Sequence, residues 1–427
     1  MLAMKPLPDL PFSPHSSEEV FRLFSQHMTP GKAEWLSALG LSFAIGHREG
    51  VYLWDSEGKR RLLNCHSNGG TFNLGHRHPA VVAALFAGLQ HLDIGNHHLP
   101  SLPKVRLAQK LAALAPKSLT HAVFATSGGE AVDLALKVAR RATQRRKIVS
   151  AVGGYHGHTG LAVATGEPKY AHPFLIDTTD FVRIPFDDPA AAREAIDKDT
   201  AACILETIPA TLGMPVPSPG YLQLVKELCA KQGAAYIADE VQTGLGRTGT
   251  LWAVEQHHVT PDILVTAKGL GGGLYPIAAT LMTPSLARVF ADDPFSHIST
   301  FGGADLGCVV AECVLDLCSA PAFLERVRTF SQAMREKLEA LKDKHQESGF
   351  LEVRGTGAML GLKFSSSMAG PLLSKACLDH GLLCVFCGND SSVLQFLPPL
   401  IISDEQIDEA LSGLDAAIGT LRTYGVA

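Results

Sequence analysis

The chain has 427 residues, 46% of them hydrophobic and 19% charged, and a formal net charge of −5. That length is too great for one simple core, so two or more lobes are expected. There is no block of like charge and no apolar run of the ~18 residues a membrane helix needs, so nothing points to nucleic acid or to a membrane.

The opening MLAMKPLPDLPFSPHSS is broken by proline and lacks the apolar run of a signal peptide, so it reads as a leader. SEEVFRLFSQHM predicts a helix with Ser17 at its N-cap. GVYLWDSEGKRRLLNC predicts a hairpin about its DSEGK turn. NGGTFNLGHRHPAVVAALFAGL gives a glycine-rich loop, then a helix opened by Pro79. That loop is either an ordinary turn cluster or a segment lying close to a ligand or a partner chain. From Lys104 to about residue 270, apolar strands alternate with amphipathic helices, the pattern of a parallel sheet. The strands are THAVFATS, KIVSAVG, AACILE, AAYIAD and PDILVTAK. From about residue 308 helices predominate, with short strands around LEVRGTGAMLGLKF and SVLQFLPPL and a terminal helix DEQIDEALSGLDAAIGTLRTYG. The expected organisation is a leader and small-domain segment over 1–75, a large α/β domain over 76–305, and a smaller α+β domain completed by 306–427.

Two strands end in residues that an apolar strand has no reason to carry, Asp239 and Lys268. Ligands of open α/β sheets sit beyond the carboxyl ends of the strands, which brings both residues to one edge. Singly, each has a plainer reading, as a capping acid and as a solvated lysine. Together, the lysine can form a Schiff base with a carbonyl and the carboxylate can hold a ring nitrogen protonated. That pairing suits pyridoxal phosphate, which also needs a phosphate seat and a flat face. ATSGGEAVDLALK sets Ser127, Gly128 and Gly129 at a helix N-terminus, where free N–H groups and the helix dipole favour an anion. A tight turn capped by Ser127 and Glu130 would look the same. In AVGGYHGHTG, Tyr155 follows a strand and can offer a stacking face, or it is a packed loop tyrosine with His156 and His158 as bystanders. AACILE ends in a further carboxylate, Glu206, and HISTFGGADLG offers Thr300 beside two glycines.

The nine cysteines are scattered and mostly sit in apolar stretches, where free thiols pack as small hydrophobes. Cys384 and Cys387 form a CxxC with no second ligand pair, and the histidines match no metal pattern. No metal is expected. A reducing compartment, the cytoplasm, is the expected setting.

From about Gly50 to residue 420 the chain resembles the class III, or omega, aminotransferases, fold-type-I enzymes that use pyridoxal phosphate. The most specific stretch is ADEVQTGLGRTGTLWAVEQHHVTPDILVTAKGLGGG, and the order of SGGEA, YHG, Glu206 and TFGG also matches. NLGHRHP and DPFSHISTFGGADLG resemble the putrescine and diamine branch. The resemblance implies that Lys268 holds the cofactor as a Schiff base and shuttles the proton. Asp239 would bind the pyridine nitrogen and Gln242 the ring hydroxyl. Tyr155 would stack on the ring, with His156 also at the cofactor. Ser127, Gly128 and Gly129 would bind the phosphate, joined by Thr300 from a neighbouring subunit, which implies a homodimer. Glu206 would lie near Asp239 and the substrate amine.

Three departures bear on substrate. Where the family reads SGTE, Gly129 replaces the hydroxyl residue, and EPIQGE becomes Glu206-Thr207-Ile208-Pro209-Ala210-Thr211. In SVLQFLPPL, Gln395 stands where amino-acid-handling members carry an arginine for the α-carboxylate. Losing such a clamp costs on the order of 2–5 kcal/mol. The expected donor is therefore a primary amine without an α-carboxylate (a diamine, amino alcohol or amino sugar), passing its amino group to a carbonyl acceptor in ping-pong fashion. A racemase, aminomutase or phospho-lyase on the same scaffold is the alternative, and a non-catalytic protein retaining the fold is a second.

Overall fold

The computed structural model describes residues 15–421. Most of the expected leader and the last residues of the expected terminal helix lie outside them. Seven strands form the large sheet, in the order His121–Ala125, Ala278–Met282, Ile263–Thr266, Ala235–Asp239, Thr200–Glu206, Lys147–Ala151 and Phe181–Ile184. All run one way except Ala278–Met282, which is antiparallel to both neighbours. The reversal has a local cause. Only the glycine-rich stretch 267–277 links it to Ile263–Thr266, less than the ~12 residues that a parallel return requires.

Every residue of Thr200–Glu206 and of Ala235–Asp239 is buried, which is why those strands read as continuous apolar runs rather than alternations. One face of the sheet packs with Leu107, Val225, Trp252 and Val314 from the surrounding helices and loops. The other is covered by the Gly128–Thr143 helix through Leu134, Ala135 and Val138. Asp305–Ser319 sends Val310, Val314 and Leu315 into the large core. The chain then bends by 61° into Pro321–Lys344.

The smaller layer holds two four-stranded sheets. Ile45–Glu49, Tyr52–Asp55 and Arg61–Asn64 form an antiparallel meander, and Leu382–Leu383 pairs with its last strand in parallel. The hairpin turn forms where the sequence puts it, with Asp55 Oδ1 accepting from Lys59 N at 2.7 Å. The second sheet orders Phe350–Thr356, Met359–Phe364, Val393–Phe396 and Val385–Phe386, all antiparallel. Phe330, Phe364, Leu373, Phe396 and Leu414 fill the core between these sheets and their helices. The first helix, Ser17–His27, is capped by Ser16 rather than Ser17. Ser16 has the extended backbone a cap needs, and its hydroxyl accepts from Glu19 N at 3.1 Å. Among the described residues no single helix is long and apolar enough to cross a membrane, and no group of three His, Cys, Asp or Glu side chains is placed to hold a metal.

Candidate active site

Strand register assembles the site. Glu206 pairs with Asp239 at the carboxyl ends of adjacent parallel strands, and Asp239 pairs with Val265, three residues before Lys268. Beyond that edge lies a cleft of about 150 Å³. Gly128, Gly129, Tyr155, His156, Glu206, Asp239, Gln242 and Lys268 all line it, with Gly157 and Val241. Ser127 and Thr300 do not. Ser127 caps the Gly128–Thr143 helix by accepting from Glu130 N at 3.3 Å, and Thr300 is exposed on this chain. Glu130 turns back to Thr126 instead of completing a reciprocal cap, accepting from its N at 2.7 Å and its Oγ1 at 2.6 Å.

Asp239 is 4% exposed. Its Oδ2 lies 2.7 Å from His156 Nδ1 and its Oδ1 accepts from Val241 N at 3.1 Å. Burial pulls the His156 imidazole towards the neutral form. The bond to Asp239 and the charges of Asp239 and Glu206 outweigh it, and the net shift is upward. The other ring nitrogen of His156 is buried without a partner among the described residues, and a Cβ on Gly154 would stand 3.5 Å from it.

Glu206 Oε1 accepts from Tyr155 N at 2.8 Å and Oε2 from Ala210 N at 3.2 Å. Burial drives its carboxyl up; His156 opposes this, Asp239 adds to it, and the two amides oppose it. The carboxyl ends at about 7. Lys268 Nζ donates to Gln242 Oε1 at 2.7 Å. Burial depresses the amine's pKa, only partly countered by Asp239 and Glu206. The lysine backbone stands at φ +47°, a left-handed conformation that costs a side-chain-bearing residue roughly 1–2 kcal/mol. Such strain persists where the surroundings over-determine it.

The surroundings here include a second left-handed element at the start of the glycine-rich loop, which the sequence offered as a segment close to a ligand but without its left-handed turn. Ser67, Asn68, Gly69 and Gly70 have φ of +49°, +48°, +63° and +90° in succession. Asn64 pins the entry to this turn, its Oδ1 accepting from Ser67 N at 2.8 Å and His66 N at 3.2 Å. Asn64 Nδ2 in turn lies 3.0 Å from Nε2 of the buried His76. A Cβ on Gly69 would stand 3.3 Å from Gln242 Oε1 and 3.6 Å from Lys268 Nζ, and one on Gly269 would stand 3.1 Å from Gly70 O. His66, beside the lysine, is pushed down to about 4 by burial and by the Lys268 charge. The NGG of the loop is the one sequence signal for the turn, since Asn and Gly tolerate positive φ; Ser67 gives none.

Gln395 is 7% exposed on Val393–Phe396, and its Nε2 donates to Phe386 O at 3.2 Å. No arginine lines the cleft among the described residues. Thr211 is latched to the small layer, its carbonyl accepting from Asn389 N at 2.9 Å and Asp390 N at 3.1 Å. Thr211 Oγ1 and Asn389 Nδ2 both donate to Gly153 O at 2.9 Å.

A lysine and two carboxylates at the edge of a mostly parallel sheet bear comparison with known proteins. The profile of the family "Aminotransferase class-III" matches residues 38–418. The chain belongs to the class III aminotransferases. An uncharacterized aminotransferase of Archaeoglobus fulgidus is 50% identical over 398 residues, 92% of this chain and 93% of that one. A putrescine aminotransferase of Pectobacterium atrosepticum is 33% identical over 413 residues, 92% and 87% of the two chains. Among solved structures, an ornithine aminotransferase of Toxoplasma gondii superposes with a TM-score of 0.88 at 26% identity, over 96% of both chains. An acetylornithine aminotransferase of Elizabethkingia anophelis does so with a TM-score of 0.79 at 30% identity, over 95% of this chain and 99% of that one.

Class III aminotransferases use pyridoxal phosphate, and this enzyme's cleft fits it. Gln242 Nε2 is buried without a partner among the described residues, a donor whose desolvation costs about 1–3 kcal/mol until something accepts from it. Gly128 and Gly129 leave the first amides of a 16-residue helix bare beside the cleft, and a Cβ on Gly128 would press Val241 at 3.1 Å. An amine, an acceptor for a ring nitrogen, a donor for a ring oxygen and an anion seat thus surround one space. These residues could hold the cofactor.

Proposed function

We propose that this aminotransferase moves an amino group between a primary amine without an α-carboxylate and a carbonyl acceptor, in two half-reactions that depend on Lys268. The observation that carries this reading is the lysine itself. It is a partly buried amine of depressed pKa, held at a strained backbone, sharing a cleft with Asp239, Glu206 and Gln242. Bound pyridoxal phosphate supplies an electrophilic carbonyl carbon and a ring that draws electrons from the substrate carbon. The chain's own residues do the rest. Lys268 would hold the cofactor covalently and, once freed by the substrate amine, would take the proton from the substrate Cα and deliver it to the cofactor's former carbonyl carbon rather than back to Cα. Burial favours the neutral amine which that work requires. Asp239, bonded to His156, keeps the ring nitrogen protonated. Gln242 orients Lys268 and donates to the ring oxygen, and Tyr155 supplies the stacking face. Glu206, once ionised, receives the substrate's ammonium. Ser127, Gly128 and Gly129 organise the phosphate seat at the helix N-terminus.

Thr300 of a second copy completes that seat in a homodimer. Beside Thr300, exposed Leu99, Phe295 and Ile298 line one groove, an apolar surface that supports a partner on this face. The substrate preference is supported by neutral Gln395, by the lack of any arginine lining the cleft among the described residues, and by the putrescine aminotransferase relative. The test mixes holoenzyme with donors one at a time and follows conversion of its spectrum to that of the pyridoxamine form. Diamines, amino alcohols or amino sugars should convert it faster than α-amino acids. If α-amino acids react orders of magnitude faster, and Gln395→Arg brings them no gain, the substrate assignment is wrong. A substrate consumed without leaving the pyridoxamine form would point to racemisation or elimination.

A further inference from the structure

We propose that Glu240 is the positioning residue that holds Glu206, Asp239 and Gln242 in one constellation; this rests on the roles given above to those three side chains. Glu240 is 1% exposed and is not among the residues lining the cleft. Its Oε1 accepts from Thr207 Oγ1 at 2.6 Å and from Val254 N at 2.9 Å. Its Oε2 accepts from Thr243 Oγ1 at 2.6 Å and from Ala253 N at 3.0 Å. Each oxygen thus takes one hydroxyl and one amide, which fills the acceptor sites of a carboxylate. Burial raises the pKa of this carboxyl, and the four bonds oppose the rise.

What these bonds reach is the point. Thr207 follows Glu206 in the chain, Thr243 follows Gln242, and Glu240 itself follows Asp239. Glu206 and Asp239 close adjacent parallel strands. Consecutive residues of a strand point to opposite faces, so the side chains of 206 and 239 meet the cleft while those of 207 and 240 meet each other away from it. Glu240 N also donates to Val265 O at 2.9 Å, on the strand that leads to Lys268. The Ala253 and Val254 amides hold the carboxylate from a separate stretch of chain. One buried side chain therefore ties the chain behind three groups that share the cleft. A displacement of about 1 Å in such a constellation can cost on the order of a hundredfold in rate, so a restraint behind it matters to the reaction and not only to the fold. The two threonines divide the effect. Thr207 fixes the residue that receives the substrate's ammonium, and Thr243 fixes the one that donates to the cofactor's ring oxygen.

The test measures two constants for each variant. One is the Kd of the apoenzyme for pyridoxal phosphate, followed by absorbance; the other is KM for the fastest-reacting donor of the spectral panel above. Two controls check the roles beneath the proposal: Glu206→Gln should raise KM, and Gln242→Ala should raise Kd. Should either control leave its constant unchanged, the role of that residue fails and the positioning role falls with it. With both upheld, Thr207→Val should raise KM about tenfold and change Kd by less than about twofold, and Thr243→Val should do the reverse. Thr207→Ser and Thr243→Ser keep the hydroxyl and should match wild type in both. Glu240→Gln, of the same shape, should raise both constants, because its amide sets an N–H against a backbone N–H that cannot turn away. A merely structural role predicts otherwise. The threonine-to-valine variants would then lower the urea midpoint of the apoenzyme with Kd and KM unchanged, or would shift both constants alike, and either result overturns the assignment. If Glu240→Gln does not fold, the valine and serine variants decide it under the same criteria.

Discussion

Glu206 and Lys268 sit within reach of each other's fields, and burial moves each towards its neutral form. For Glu206 the consequence is measurable. Its carboxyl, at about 7, is neutral at about pH 6 and charged at about pH 8, so kcat/KM for a donor amine should rise through about pH 7, and Glu206→Gln should flatten that limb. The same shift predicts a stability effect in the apoenzyme. A carboxyl raised from 4.5 to about 7 keeps its proton in the native state after the unfolded chain has lost it. Stability should therefore fall as pH rises across that window, by on the order of 3 kcal/mol, in urea unfolding. Glu206→Gln should remove the decline. Asp239, Lys268 and Glu206 were legible in the sequence because a charged residue closing a buried apolar strand is costly to desolvate unless a partner or a ligand meets it there. The bond of His156 to Asp239 was not legible, because it depends on which loop lies beside which strand end, and spacing along the chain does not encode that.

The element that most shapes the lysine's surroundings is the left-handed turn Ser67–Gly70. Asn64 anchors it by a side chain, and Asn64→Ala would leave the Ser67 and His66 amides without their acceptor. The expected loss is about 2–3 kcal/mol in urea unfolding of the apoenzyme, with Asn64→Asp, which keeps the acceptor, losing clearly less. Loss of the same size in both variants would mean that the amide donor to His76, rather than the backbone pin, does the holding. The inner strands of the large sheet were legible because burial on both faces leaves continuous apolar runs, whereas the edge strand Phe181–Ile184, with Val182 exposed, was not read from the sequence. The direction of Ala278–Met282 was not read from the pattern, although the shortness of its connection holds the reason. Ser16 rather than Ser17 caps the first helix because cap choice turns on one residue's backbone angles.

On the scale of the whole molecule, Arg247 is the tie between layers. It is fully buried, and its Nε and Nη2 donate to Asn73 Oδ1 at 3.2 and 2.6 Å. Nη1 reaches Ala358 O at 3.0 Å and Pro398 O at 2.6 Å. Three stretches of chain meet on one guanidinium. Arg247→Ala should destabilise the enzyme by at least ~3 kcal/mol, and Arg247→Lys should recover little, because an ammonium cannot span three acceptors in the fork geometry. Thermal unfolding of the two variants beside wild type decides it. From the sequence, GLGRTG marked this region as part of the family stretch but gave no hint that its arginine faces inward.

Leu382–Leu383 pairs in parallel with the strand that ends at Asn64, so the wall beside Lys268 hangs on residues made more than 300 positions later. A nascent chain halted before residue 382 would already carry both carboxylates, the lysine and the anion-binding helix, yet would lack the partner strand that steadies Asn64. Long-range closures of this kind come late in folding. The two ends of the chain thus meet at the strand that leads into the turn beside Lys268.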